Sequence, residues 1–184
     1  WEHNDVAPAL AAAFSTDVPI VALHLTRPAI EVPNREKLGI ASHFEASKGA
    51  YLIRDYDNRP KEGVVIVRGT SSTNTVIPVL EQIGSEHNVK IVSAVSWELF
   101  RRQDQAYKDS IISETEWSDS MIVTNTGLRI MHNWISNRIV SEYSVSPDWD
   151  DSWRTGGSLD EIIDEAHLSP RWVLKAIQKF TSER

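Results

Sequence analysis

Apolar residues in this chain fall into two rhythms. Short runs rich in Val and Ile read as buried strands: Pro19 to Leu25, Val64 to Arg68, Val89 to Val95 and Met121 to Thr124. Ala50 to Asp55 reads as another strand. The loop from Asp57 to Gly63 is too short for a helical crossover, so Ala50–Asp55 and Val64–Arg68 are expected to pair antiparallel. Helical spacing is seen from Asp5 to Phe14, Arg35 to Lys48, Thr73 to Gly84 and Leu128 to Ile139. Ser158-Leu-Asp-Glu161 is a capping box for a helix reaching about Leu168, and Ser169-Pro170 opens the last helix, Arg171 to Phe180. The alternation predicts an α/β three-layer sandwich with a mostly parallel, mixed sheet of about five strands.

Composition narrows the functions. Hydrophobic residues make up 41 % of 184, enough for a core. The formal net charge of −7 argues against a nucleic-acid groove, which needs clustered Lys and Arg. No apolar run reaches the roughly 18 residues of a membrane helix. There is no cysteine, hence no disulfide or thiolate chemistry. The six His (3, 24, 43, 87, 132, 167) lack ligand spacing, so no metal site is expected. His24, inside an apolar run, reads as a core residue rather than a base. With no signal peptide visible, a cytoplasmic protein is expected. Lacking an initiator Met and starting within an element, the chain reads as a piece of a longer one.

The densest chemical pattern follows the third strand: Phe100-Arg-Arg-Gln-Asp-Gln-Ala-Tyr-Lys-Asp-Ser-Ile-Ile112. It resembles the F-x-x-Q-D-x-x-Y-[RK]-x-S-[VI]-[LI] stretch in the C-terminal domain of transketolases. These thiamine-diphosphate enzymes move two-carbon ketol units between sugar phosphates. Gly49-Ala-Tyr-Leu-Ile-Arg-Asp55 resembles the G-G-Y-V-L-x-D that opens that domain, and Ala22-Leu-His-Leu-Thr-Arg27 the A-L-x-L-S-R that closes the domain before it. The resemblance implies that residues 1–34 end the middle, pyrimidine-binding domain plus a linker at Pro28–Pro33, and that 35–184 are the C-terminal domain.

What the resemblance implies for sites is sparse. Arg27 stands where the family binds the sugar phosphate; the alternative is an interdomain salt bridge. Asn4 or Asp5 stands near the residue that contacts a substrate hydroxyl; the alternative for Asp5 is a helix cap. The G-D-G…N-N motif and the carboxylate that activates the thiamine ring are absent. No catalytic residue is therefore expected here, and thiamine diphosphate and Mg²⁺ belong to the intact enzyme rather than to this chain. The implied partners are the N-terminal and middle domains, a second subunit in a homodimer, and sugar phosphates. The fragment alone is expected to be inactive.

Other readings stay open beside it. Related C-terminal domains occur in 2-oxoacid dehydrogenase β subunits and deoxyxylulose-phosphate synthases, though Gln103-Asp104…Tyr107 favours transketolase. A non-enzymatic reading is a free-standing anion-binding or assembly module. It would use Thr70, Ser71, Ser72 and Thr73, where a strand meets a helix; ordinary capping is the plainer account. Asp148, Asp150 and Asp151 with Trp149 and Trp153 fall where the family has a shorter Gly-rich loop. They read as a Trp-anchored loop, without EF-hand spacing. Seven Trp suggest that several pack at interfaces with other domains or a second subunit.

Overall fold

The computed structural model describes residues 1–26, 29–154 and 156–184. The helices are α1 (Val6–Phe14), α2 (Arg35–Leu38), α3 (Thr70–Val76), α4 (Leu80–Glu86), α5 (Trp97–Phe100), α6 (Gln105–Ile111), α7 (Glu114–Ser118), α8 (Arg138–Tyr143), α9 (Leu159–Glu165) and α10 (Pro170–Glu183). The strands are β1 (Ala50–Arg54), β2 (Val64–Arg68), β3 (Lys90–Ala94) and β4 (Ser120–Thr124), in the sheet order β1-β3-β2-β4.

β2 is parallel to both β3 and β4, with Val65 opposite Ile91 and Met121. β1 runs antiparallel to β3, with Ala50 opposite Ala94. The expected β1–β2 pairing is therefore wrong. β2 has four fully buried residues in Val64-Val-Ile-Val67 and takes a central place covered on both sides. β1, with Leu52 and Arg54 only partly buried, suits an edge. The outer edge of β4 is sealed by residues 144–145: Val145 N–H donates to Ile122 O at 2.7 Å and Thr124 N–H to Val145 O at 3.0 Å. This fifth, single-bridge element protects an otherwise open ladder.

Alternate strand residues point to opposite faces. Tyr51, Ile53, Val65, Val67, Ile91 and Val123 pack with Ile83, Val173, Ile177 and Phe180. Ala50, Val64, Ile66, Val92 and Ile122 pack with Phe100, Ile111, Met131, Trp134 and Val140. The sheet thus lies between two helical layers, as the sequence pattern predicts.

Several other expectations fail for local reasons. Pro19 to Leu25 forms no strand; Ile20 is 81 % and Leu25 62 % exposed, with no ladder beside them. The helix expected over Arg35–Lys48 is split by Gly39 in a left-handed conformation (φ 66°) into α2 and a 3₁₀ turn, His43–Lys48. The helix expected over Thr73–Gly84 begins earlier and is interrupted at Ile77–Val79 by Pro78, which lacks the N–H to continue it. Gly84, read as a stop, lies inside α4. Leu128–Trp134 is 3₁₀, and α8 begins only at Arg138. The capping box of α9 forms as expected. At Ser169 the hydroxyl donates to Asp164 instead of capping α10.

Candidate functional site

The motif after β3 is built as scaffold. Asp104 caps α6 by accepting the Tyr107 N–H at 2.7 Å. Gln103 Nε2 donates to Leu99 O at 2.9 Å, satisfying a carbonyl at the end of α5. Tyr107 reaches across to donate its hydroxyl to Ala50 O at 2.8 Å, pinning α6 to β1, while the Lys48 ammonium lies 4.5 Å from its ring centre. Burial raises the Tyr107 phenol above its ordinary range, aided by the Glu45 carboxylate. Gly49 has φ 88°, and a Cβ there would overlap the Phe100 nitrogen and the Ser96 carbonyl. Phe100 stacks on Trp134 at 5.4 Å, with Trp97 and Trp117 completing the cluster. These three Trp pack on one another inside the domain. Among the described Trp residues, Trp153 is the one fully open to solvent, at 98 %.

A second construction centres on Arg35, which sequence reading passed over. Its guanidinium donates to Glu2 Oε1 at 2.8 and 3.0 Å, Asp5 Oδ1 at 2.7 Å, Tyr51 Oη at 2.8 Å and Ala41 O at 2.6 Å. Tyr51 in turn donates to Asp5 Oδ2 at 2.8 Å, as does the Trp1 nitrogen. Asp5 is 2 % exposed and both its oxygens are engaged by protein donors. Its carboxylate does not cap α1 itself but accepts the Glu2 N–H at 3.3 Å, completing a capping box on the 3₁₀ turn His3–Asp5 that leads into α1. Asn4 is exposed and borders a groove with α1 and Phe44. Arg27 and the Ser71 side chain lie outside the described residues. The signal that could have found Arg35 is weak: a basic residue opening α2, 30 residues from its acidic partner.

At the carboxyl ends of β2, β3 and β4 lies a cleft of about 310 Å³. Arg68, Gly69 and Thr70 line it with Ala94, Val95, Asn125 and Thr126, and residues 22–26 form one wall. Of the four hydroxyls taken as an anion loop, Ser72 donates to Arg68 O and Thr73 to Trp1 O, both buried. Among the described hydroxyls of this set, Thr70 borders the cleft. Among the described residues no three His, Cys, Asp or Glu side chains converge on a metal position.

Comparison with known proteins places this geometry. The transketolase-like TK C-terminal domain matches residues 49–144. The chloroplastic transketolase of Craterostigma plantagineum is 31 % identical over 97 residues, half of this chain and 19 % of that protein. The transketolase of Geobacillus stearothermophilus is 30 % identical over 113 residues, 60 % of this chain and 16 % of that protein. Among solved structures, a Pichia stipitis transketolase complexed with sedoheptulose-7-phosphate superposes with a TM-score of 0.56 at 18 % identity, covering 77 % of this chain and 19 % of that one. Leishmania mexicana transketolase gives 0.57 at 13 %, with the same coverage. The chain spans less than a fifth of these proteins' length. The family match spans β1 to β4 with the α5–α6 motif between them, and the chain belongs to the transketolase family through its C-terminal domain.

Proposed function

We propose that this chain is the C-terminal part of an enzyme that transfers two-carbon ketol units between sugar phosphates, working as a cytoplasmic homodimer. The family match over residues 49–144 carries the reading. The Gln103-Asp104…Tyr107 stretch, which by resemblance favours transketolase over 2-oxoacid dehydrogenase β subunits and deoxyxylulose-phosphate synthases, supports it.

The intact enzyme uses thiamine diphosphate and Mg²⁺. The residues described here do not suit that pair: acidic groups do not cluster for a metal, and Glu2 and Asp5 already hold Arg35. The chain's part is to supply a domain wall and subunit contacts, with the boundary to the middle domain near residue 34. Arg27 holds the substrate phosphate through a bidentate guanidinium, and Asn4 touches a substrate hydroxyl.

The test is made in the full-length parent. Arg27→Ala should raise KM for phosphorylated ketoses roughly 10- to 100-fold with turnover little changed, because a remote phosphate is held alike in ground and transition states. Equal losses with non-phosphorylated ketoses would assign Arg27 to structure. Decarboxylation of a 2-oxoacid by the parent, without ketol transfer, would sink the reading as a whole. The 184-residue chain alone should neither turn over sugar phosphates nor give heat with thiamine diphosphate and Mg²⁺.

A further inference from the structure

Arg68 ends β2 and lines the cleft, and among the described residues no carboxylate pairs with it. Its hydrogen-bond partner is the Met131 sulfur at 3.5 Å, a weak acceptor. Burial draws the guanidinium below its ordinary range, and no charged group opposes that. By contrast, Arg54 and Arg59 pair with Asp57, and Arg101 pairs with Glu98. A partly buried cation without a counter-charge is costly to keep unless a ligand supplies one.

The surroundings point the same way. Among the described residues, the Asn125 carboxamide oxygen and the Thr26 hydroxyl oxygen are both buried without a hydrogen-bond partner, and both residues line this cleft. Gly69, at φ 95°, lets the chain pass beside Asn125; a Cβ there would overlap the carboxamide oxygen. The carboxylates bordering the cleft, Glu2 and Asp5, share the one Arg35 guanidinium at 2.8 and 2.7 Å, and Asp5 also meets the Trp1 ammonium at 2.8 Å, so two cations face the two carboxylates; His24 also borders the cleft and is exposed. The chain leaves β2 into the layer holding Ile83, and leaves β3 and β4 into the layer holding Phe100 and Met131. Such a divergence opens a crevice at the strand ends where α/β folds bind ligands.

We propose that this cleft binds a small phosphate ester bearing hydroxyl groups. Arg68 holds the phosphate, whose geometry matches the guanidinium fork. The Asn125 oxygen accepts a ligand hydroxyl, and Thr70 donates beside it. The volume of about 310 Å³ has room for a phosphate and a short polyol. The site does not rest on the ketol-transfer reading, because it is built within this chain from groups that reading does not use.

The test is titration of the ¹⁵N-labelled 184-residue chain with glycerol 3-phosphate, inorganic phosphate, glycerate and glycerol. The ester should shift the Gly69, Thr70, Asn125 and Thr126 amides and bind tighter than the other three. Arg68→Met should weaken the ester about 10- to 100-fold, with Arg68→Lys in between. Asn125→Leu should bring the ester down to the level of inorganic phosphate, and Thr70→Val, a mild change at the surface, should weaken it by a smaller factor. No binding, shifts located elsewhere, or unchanged affinity in Arg68→Met would overturn the site. Tighter glycerate, or phosphate equal to the ester in the unmodified chain, would overturn the assignment of ligand class.

Discussion

Between Leu99 and Ile112 the polar side chains are committed to backbone: Gln103 to a carbonyl, Asp104 to an N–H, Tyr107 to Ala50 across the layer. Around the carboxyl ends of β2 and β4, Arg68 has the weakly accepting Met131 sulfur as its hydrogen-bond partner, and the buried Asn125 and Thr26 oxygens have none among the described residues. Both regions sit beside the same sheet, yet one is closed and the other open. The closed region carries the pattern by which the chain is recognised. The open one carries chemistry and leaves hardly any mark in the sequence, since a lone Arg after a strand is unremarkable until its lack of a partner is seen.

Removing one member of a closed network should be expensive, and removing the open cation should not. The largest effect is expected at Arg35→Met, which leaves Glu2 and Asp5 buried without their cation. Unfolding by denaturant should show a loss of about 3–5 kcal/mol. A loss under about 1 kcal/mol would mean that the network is dispensable and the contrast false.

Next come the motif residues. Asp104→Ala and Tyr107→Phe should each cost about 1 kcal/mol, through a lost cap and a lost cross-layer hydrogen bond. Phosphate binding should be unaffected in both. Impaired binding with intact stability would place the motif in the site after all.

Glu116 offers a pH test. Burial pushes its carboxyl up, but the Ser113 backbone N–H and the Lys90 ammonium, 2.9 Å away, outweigh that, and it sits below the ordinary range. A carboxyl lowered by folding stabilises fully above its unfolded value and loses that contribution as pH falls through the folded one. Glu116→Gln should therefore cost about 1 kcal/mol at neutral pH and converge with the unmodified protein in acid. A constant difference across pH would refute the ion-pair account. The smallest effect is expected at Arg68→Met: stability unchanged, or raised by up to about 1 kcal/mol, because an unpaired cation is replaced by an apolar chain of similar length. A clear loss would show that Arg68 supports the fold.

The sandwich was legible because both-face burial leaves unbroken apolar runs, as in Val64-Val-Ile-Val67, and because caps such as Ser158…Glu161 act locally. Strand order was not: whether β1 sits beside β2 or β3 depends on which strand needs cover on both sides, a property of the whole sheet. The helices around Gly39 and Pro78 misled because apolar spacing continues through residues whose backbone cannot follow it. At the candidate site, Thr70 to Thr73 drew attention by composition, while the outcome turned on which hydroxyls face inward. Arg35 and Arg68 could not be told apart in sequence; one meets two carboxylates across 30 and more residues, the other meets none.

The Arg35 network also bears on what a cut in the backbone would do. It ties residues 1–5 to Arg35 and Tyr51, while Trp1 lies in the core and its carbonyl accepts from Thr73. A protease nick between Thr26 and Asn34 would thus yield two bands on a denaturing gel but a single species under native conditions. The N-terminal piece would behave as a bound peptide with its own dissociation constant. A synthetic peptide of residues 1–26 should then compete for its seat, so that a chain boundary becomes a measurable affinity.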